Sequence, residues 1–185
     1  MSTKQIEKSA VEIQIPENVK VSLKGSMLHV QGPLGKVYKS FKKIPVLIEI
    51  NNNKILLKKT GERKKHLAIL NTARSLIQTL CIGVVDGFTI KMKIVYSHFP
   101  ITVNIEGKKV LVKNFQGERA ARVSMIKGNT LVVAKGDDVI LTGPVLTDVS
   151  QTAANIQTNS KVKNKDHRVF LDGIYKYSQS KGIEK

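Results

Sequence analysis

The sequence has little cysteine, few aromatic residues and few acidic residues. Cys81 is its only cysteine, which excludes an internal disulfide and a thiolate zinc cluster and favours a reducing, intracellular setting. The residues from Met1 to Ala10 lack the apolar core of a secretory signal. No run of about 18 apolar residues exists, so we expect no membrane span and a soluble protein.

The charge balance is strongly basic. The 185 residues include 31 Lys and Arg against 14 Asp and Glu, a net charge of +17. Cut after Asp86, the chain has 15 basic and 6 acidic residues before the cut and 16 and 8 after it, so the halves carry +9 and +8. A basic field spread over the whole chain favours a polyanionic partner. With 26 Lys and 5 Arg, the composition suits contact with a nucleic-acid backbone better than reading of base edges.

Residues that commonly carry catalysis are scattered. The four histidines, His29, His66, His98 and His167, show no metal-ligand spacing, and the pair Asp137-Asp138 falls between two predicted strands, where it indicates a turn. No nucleophile elbow and no phosphate-binding glycine loop of the Walker type occurs. We predict that the protein is not an enzyme and has no cofactor, no metal site and no small-molecule substrate.

The first half begins with short alternating segments that predict antiparallel strands. Residues 19–23, 27–30, 37–41, 46–50 and 54–57 alternate between apolar and polar side chains, and Asn51-Asn52-Asn53 indicates a turn. Gly32-Pro33-Leu34-Gly35 has the G-x-x-G form with which KH domains hold a nucleic-acid backbone. Its flanks alternate like strands, however, so we interpret it as a hairpin turn.

A helix of about twenty residues is predicted after these strands. Thr60 or Gly61 is its expected N-cap, and Gly83 is its expected end. The apolar residues at helical spacing predict a face that covers the sheet. The core of that face is expected to consist of Ile69, Ala73, Leu76 and Leu80, flanked by Leu70, Ile77 and Val84.

The second half repeats this plan at an offset of 82 residues. The offset places residues 19–35 on residues 101–117 without a gap, with Gly25 on Gly107 and Gly35 on Gly117. A second helix is predicted to open at Gly143-Pro144, with Pro at the first helical position. We therefore predict an α+β fold of two tandem similar domains, residues 1–86 and 87–185, each a small, mainly antiparallel sheet covered by one helix. Residues 161–185 are predicted to be a basic C-terminal extension with a frayed polar tail.

Two segments of the second half combine basic residues with planar or apolar ones. Lys91 and Lys93 alternate with apolar residues before Tyr96, His98 and Phe99. Such groups can contact phosphates and stack on exposed bases, although Tyr96 and Phe99 could equally belong to the core.

The second segment, Lys161–Arg168, is followed by apolar residues that we expect to anchor it. Phe170 and Tyr175 could equally fix this segment from below. The complete set of residues predicted to bind RNA is Lys91, Lys93, Tyr96, His98, Lys161, Lys163, Asn164, Lys165, Arg168 and Tyr175.

Several motifs resemble one protein family. They are Ile15–Val19, Leu23–Gly25, Gly32–Gly35, Gly87–Phe88, Lys91–Lys93, Val95–Pro100, Asn114–Glu118 and Lys163–Tyr175. Together they resemble the universal large-subunit ribosomal protein six, called protein nine in eukaryotic cytosolic ribosomes. The block Arg168-x-Phe170-x-Asp172-Gly173-Ile174-Tyr175 resembles the eukaryotic and archaeal branch.

This resemblance implies a structural, non-enzymatic role in the large ribosomal subunit. It implies contact with large-subunit rRNA near the sarcin–ricin loop, at the stalk base, and with neighbouring ribosomal proteins. It also implies a place in the cytoplasmic ribosome, with nucleolar assembly in a eukaryote. The alternative is a free-standing RNA-binding or RNA-chaperone module.

Overall fold

The computed structural model describes residues 10–51 and 53–183. The chain divides between Asp86 and Gly87 into two compact units. Residues 1–9 and Asn52, the centre of a predicted turn, lie outside the described residues. The prediction of small antiparallel sheets with one helix in each half is confirmed.

Within residues 10–51 and 53–86, the first unit contains two three-stranded antiparallel sheets and one helix. The order β1-β6-β5 forms one sheet, and the order β2-β3-β4 forms the other. Helix α1 follows the last strand. The elements are β1 (Ala10–Gln14), β2 (Lys20–Lys24), β3 (Met27–Gly32), β4 (Gly35–Ser40), β5 (Val46–Asn51), β6 (Lys54–Lys59) and α1 (Lys64–Val85).

The G-x-x-G sequence is a hairpin turn, as predicted. Gly32 and Gly35 face each other at the ends of β3 and β4, and Pro33 and Leu34 form the two-residue loop. Glycine is required at position 32 because an added Cβ would lie 2.8 Å from the side chain and carbonyl oxygen of Val84. The turn is therefore fixed against the end of α1 rather than open to hold a nucleic-acid backbone.

Helix α1 begins and ends later than predicted. Its N-cap is Arg63, and Thr60 instead donates a hydrogen bond from Oγ1 to the carbonyl oxygen of Pro45 at 2.7 Å. Gly83 lies buried inside the helix, which continues for two more residues to Val85. Both predicted ends are therefore wrong by a few residues.

The buried face of α1 is rotated slightly from the predicted one. Ala73 and Leu80 are buried as predicted, but Ile69 and Leu76 are only half-buried. The fully buried positions are Leu70, Ala73, Ile77 and Val84, each 0% exposed. This stripe packs on strands of both sheets, because the helix contacts β1, β3, β4, β5 and β6.

Helix α1 is also long and apolar enough to cross a membrane by length and composition, although no run of 18 uninterrupted apolar residues exists. Seven of its residues are buried inside the unit, and its contacts with five strands account for them. We therefore interpret it as the helix that covers the core of the first unit.

The second unit has the same sheet orders and one additional strand. One sheet has the order β10-β9-β8, and the other has the order β11-β12-β7-β13. Helix α2 packs on both. The elements are β7 (Phe88–Val95), β8 (Thr102–Glu106), β9 (Lys109–Lys113), β10 (Arg122–Met125), β11 (Leu131–Lys135), β12 (Asp138–Gly143), α2 (Leu146–Asn159) and β13 (Gly173–Lys181).

The internal repeat extends to the strand register. In the first unit Lys20 pairs with Gln31, and in the second Thr102 pairs with Lys113, an offset of 82 on both strands. The tight turns match as well, since Gly25 has φ +60° and Gly107 has φ +57°. A left-handed backbone at this position favours glycine because it has no Cβ.

Two predictions for the second unit are wrong. Helix α2 begins at Leu146 with Val145 as N-cap, so Pro144 lies before the helix and not at its first position. Residues 173–181 are not a frayed extension, because Gly173–Lys181 forms β13 and pairs antiparallel with β7, while residues 184–185 lie outside the described part of the chain. Pairing with β7 satisfies the backbone N–H and C=O groups of β13. The polar sequence alone did not predict this pairing.

We expect the fully buried Leu70 of α1 to contribute more to the free energy of unfolding than the half-buried Leu76. Leu70→Ala should lower the free energy of unfolding by about 2–5 kcal/mol, because a fully buried Leu loses its contacts and leaves a cavity. Urea denaturation followed by circular dichroism measures this loss. The same substitution at half-buried Leu76 is the control and should cost less than half as much. Equal losses, or a larger loss at Leu76, would contradict the assigned face.

Candidate nucleic-acid interface

The two segments predicted to bind RNA lie side by side in the second unit. β7 carries Lys91 and Lys93 and leads into the turn that holds Tyr96 and His98. In the β7–β13 ladder Tyr175 lies opposite Lys93, and Gly173 lies opposite Val95. We call residues 161–168 the basic segment. Residues 169–172 join it to β13, so it lies near the end of β7.

Asp172 joins the turn after β7 to the basic segment. It is only 9% exposed, and its Oδ1 accepts a hydrogen bond from the backbone N–H of Ser97 at 2.9 Å. Its Oδ2 accepts a longer bond from Nε2 of Gln116 at 3.4 Å. One carboxylate thus holds three parts of the chain together. Sequence analysis did not select Asp172, although it stands inside the block that carries the family resemblance.

Ser160 and Tyr175 fix the two ends of the segment. The Ser160 hydroxyl is buried, donates to the carbonyl oxygen of Ile156 at 2.9 Å and accepts the N–H of Ile174 at 3.2 Å. The Tyr175 hydroxyl donates to the carbonyl oxygen of Leu171 at 3.2 Å. Tyr175 therefore makes a structural contact with the segment, and its ring stays 41% exposed.

Arg122 fixes the start of the basic segment. Its Nη1 donates to the carbonyl oxygens of Asn159, at 3.0 Å, and Lys161, at 2.9 Å. Its Nε donates to Glu118 at 2.8 Å, and the guanidinium lies 3.9 Å from the centre of the Phe115 ring. This residue too was missed, because no local pattern marks an arginine that binds carbonyl groups far along the chain.

The basic segment presents exposed charge. Lys161, Lys163, Asn164 and Lys165 are all exposed, and within residues 10–51 and 53–183 the three lysines have no salt-bridge partner. Asn164 adopts a left-handed backbone with φ +57°. The Lys165 ammonium lies 4.7 Å from the centre of the Phe170 ring.

Two other predicted cations already have acidic partners. Arg168 pairs with Asp166 at 3.2 Å, and its hydrogen bonds lower the pKa of the Asp166 carboxyl below its ordinary value. Lys93 pairs with Asp138 at 3.4 Å. Lys91 is half-buried. These three side chains therefore offer less unopposed charge than the lysines of the basic segment.

The aromatic residues near the end of β7 are outside the core. Tyr96 is 40% exposed and Phe99 is 48% exposed, and His98 is exposed as well, so the core interpretation is wrong. The apolar anchor expected after the basic segment is confirmed at Ile174, which is buried, but not at residues 169–171, which are exposed. Burial of Val162 and the polar contacts above also hold the segment.

Two of the residues predicted to bind RNA line one groove, and a third lines a different groove. Its volume is about 550 Å³, and its lining is Ala154, Gln157, Thr158, Lys161, His167 and Tyr175. Lys93 lies in a different groove of about 340 Å³, with Asp138 and Tyr177. His167, which the predicted set omits, therefore shares a surface with Lys161 and Tyr175.

The described part of the chain contains no cluster of three or more His, Cys, Asp or Glu that could hold a metal ion. Cys81 is buried in α1, and burial raises the pKa of its thiol above the ordinary value. A buried thiol of this kind is unreactive. What the second unit offers is a rigid, cationic, partly aromatic surface.

We expect the Arg122–Glu118 contact to make stability depend on acidic pH. Hydrogen bonds from Arg122 lower the pKa of Glu118, so the stabilisation is complete above the ordinary value of 4.5 and is lost as pH falls through the lowered pKa. Glu118→Gln should remove this dependence on pH. The stabilisation that is lost should be at most about 1 kcal/mol, because the carboxylate is 42% exposed. Urea denaturation at pH 3 to 7 measures it.

Glu106→Gln, at an exposed carboxylate without a salt bridge in the described residues, is the control and should leave the acid dependence unchanged. A parallel pH profile for wild type and Glu118→Gln would show that the contact contributes nothing.

The comparisons with known proteins agree with this geometry. The family model of ribosomal protein L6 matches twice, over residues 15–87 and 99–173, once in each unit. The large ribosomal subunit protein uL6 of Methanosarcina mazei is 39% identical over 170 residues, which cover 92% of this chain and 97% of that protein. The uL6 proteins of Staphylothermus marinus and Thermoplasma volcanium are 41% and 42% identical, over 90% of this chain and 92% and 94% of theirs. The chain therefore belongs to the ribosomal protein L6 family.

Proposed function

We propose that the chain is a structural, non-enzymatic constituent of the large subunit of the cytoplasmic ribosome and that its second unit binds large-subunit rRNA. The binding surface consists of the end of β7 and residues 161–175. One observation carries the proposal: the cationic segment 161–168 is folded against the end of β7, and its lysines remain exposed and without salt bridges. Family membership supplies the large subunit as the setting and neighbouring ribosomal proteins as further partners.

Preorganisation is what distinguishes this segment from a basic tail. Ordering a free chain costs roughly 1–2 kcal/mol for each residue, which reduces the affinity of a flexible segment. Here Arg122, Ser160 and Asp172 have already fixed its ends before RNA is present. The lysines can then neutralise phosphates without most of that loss.

The predicted residues have different roles in this proposal. Lys161, Lys163 and Lys165 contact phosphates, since they are exposed and form no salt bridge within the described residues. Tyr96 and His98 pack against the sugar–phosphate backbone at the end of β7.

Asn164 donates hydrogen bonds from an exposed turn. Arg168, Lys91 and Lys93 contribute long-range potential, because two of them have carboxylate partners and the third is half-buried. The ring of Tyr175 forms one wall of the groove that also holds Lys161.

We propose that the rRNA contact lies near the sarcin–ricin loop, at the base of the stalk, as the family resemblance implies. A surface of phosphate contacts suits this role, because an rRNA fold is recognised largely through its shape and backbone. The two units are proposed to act as separate domains, residues 1–86 and 87–185, of which the second carries this contact.

We expect binding to depend on salt through the basic segment. On a duplex rRNA fragment each phosphate contact contributes about −0.9 to the slope of log affinity against log salt. Lys163→Gln together with Lys165→Gln should therefore flatten the slope by about 2. Fluorescence polarisation of a labelled large-subunit rRNA fragment, titrated at several salt concentrations, measures it.

The matched control removes the same charge elsewhere. Lys54 and Lys58 have the carboxylates of Glu12 and Glu49 as partners, at 2.9 and 2.8 Å, so Lys54→Gln with Lys58→Gln should leave the slope nearly unchanged. Equal slopes for wild type and the Lys163/Lys165 variant would remove the basic segment from the contact. Loss of the protein from large subunits in a high-salt sedimentation would favour the free-standing module instead.

A further inference from the structure

The outer face of the β2-β3-β4 sheet differs in character from its inner face. Alternate residues of these strands point inward, and Leu28, Val30 and Val37 are buried there. The opposite residues are exposed or half-buried and, apart from Met27, are polar, basic or aromatic. We call the set Lys20, Lys24, His29, Lys36 and Tyr38 the basic-aromatic face.

An aromatic pair, with Tyr38 exposed and His29 half-buried, lies in the middle row of this face. Tyr38 and His29 are directly opposite each other on β4 and β3. Their ring centres are 6.2 Å apart, with a 40° angle between the planes. Tyr38 is 70% exposed, more than any other large hydrophobic or aromatic side chain of the described residues. Its ring is therefore open to a planar ligand.

Cations surround the aromatic pair. Lys20 and Lys36 occupy the row on one side of it, on β2 and β4, where both face Gln31 of β3. Lys24 occupies the row on the other side. The three strands contain no Asp or Glu, and in the described part of the chain these lysines have no salt-bridge partner. The face thus complements an anionic ligand that also contains flat rings.

The internal repeat shows that the fold itself does not require the aromatic pair. The pair His29 and Tyr38 corresponds to Leu111 and Val123, which also face each other, on β9 and β10. Lys24 corresponds to Glu106 in the shared register. Val123 is 47% exposed, so solvent contact alone does not select an aromatic or basic residue at this place.

We propose that the basic-aromatic face binds unpaired RNA. Tyr38 stacks on one base, His29 supports the ring beside it, and the three lysines contact the flanking phosphates. An aromatic ring can stack only on a base that has left its duplex, whereas lysine accepts a phosphate in any geometry. The pairing of both features selects a single-stranded or bulged segment over a regular helix.

This binding site lies in the first unit and does not depend on the rRNA contact proposed for the second. Its test uses the absence of tryptophan from the chain. Tyr38→Trp therefore introduces one tryptophan, the residue whose fluorescence is recorded, at the centre of the face. Val123→Trp places the same fluorophore at the corresponding position of the second unit and serves as the matched control.

A 12-nucleotide oligouridylate is titrated into both full-length variants at low salt, and tryptophan quenching is recorded. We expect strong, saturable quenching for Tyr38→Trp and little for Val123→Trp, because only the first fluorophore meets a stacked base. An RNA duplex of 12 base pairs should quench Tyr38→Trp much less. Circular dichroism confirms that both variants are folded.

The lysines are tested on the Tyr38→Trp background. Each phosphate contact on a single strand contributes about −0.7 to the slope of log affinity against log salt concentration. Replacing Lys20, Lys24 and Lys36 by Gln should therefore flatten this slope, measured by quenching, by about 2. The same replacement of Lys108, Lys109 and Lys113, exposed residues at the corresponding hairpin of the second unit, should leave it nearly unchanged.

Several outcomes would overturn the proposal. They are equal quenching of both tryptophans, equal quenching by the duplex, and the absence of quenching at Tyr38→Trp while polarisation shows that the oligonucleotide is bound. The last result would place all binding elsewhere, and it would leave the rRNA contact of the second unit intact. Failure of the Lys163/Lys165 variant to change binding to the rRNA fragment would, in turn, say nothing against this face.

Discussion

The antiparallel pairing of β13 with β7 is the interaction on which the RNA-binding surface depends. It adds a strand to the second unit beyond those that the first unit has and brings the preceding basic segment to the end of β7. Asp172 and Ser160 then fix that segment through contacts with Ser97 and Ile174. Without the strand pair, a run of lysines would remain a flexible tail and would lose much of its binding free energy to ordering.

The chain contains two copies of one scaffold, and the surfaces of the copies differ. The strand registers of the hairpins coincide, so their cores face the same packing constraints. The outer faces are free of those constraints: one pairs His29 with Tyr38, and the other pairs Leu111 with Val123. The L6 family model matches both copies, whereas the proposed RNA contacts differ between them.

The sequence predicted the fold class, the repeat and most strands, because alternation of period two and helical spacing of apolar residues are local signals. It missed β13, whose Tyr175, Lys176 and Tyr177 are exposed; an edge strand with one partner needs no continuous apolar side. It also missed Arg122 and Asp172. Their contacts join residues 37 and 75 positions apart, and only the folded chain brings such groups together.

Hydrogen–deuterium exchange of the free, full-length chain tests the central claim most directly. Backbone amides of β13 paired with β7 should exchange far more slowly than those of the exposed residues 163–171, because ladder hydrogen bonds must open first. We expect the amide of Ser97, held by Asp172, to be protected as well. Exchange of β13 at the rate of an unstructured peptide would contradict the account, since the C-terminal end of the basic segment would then not be fixed.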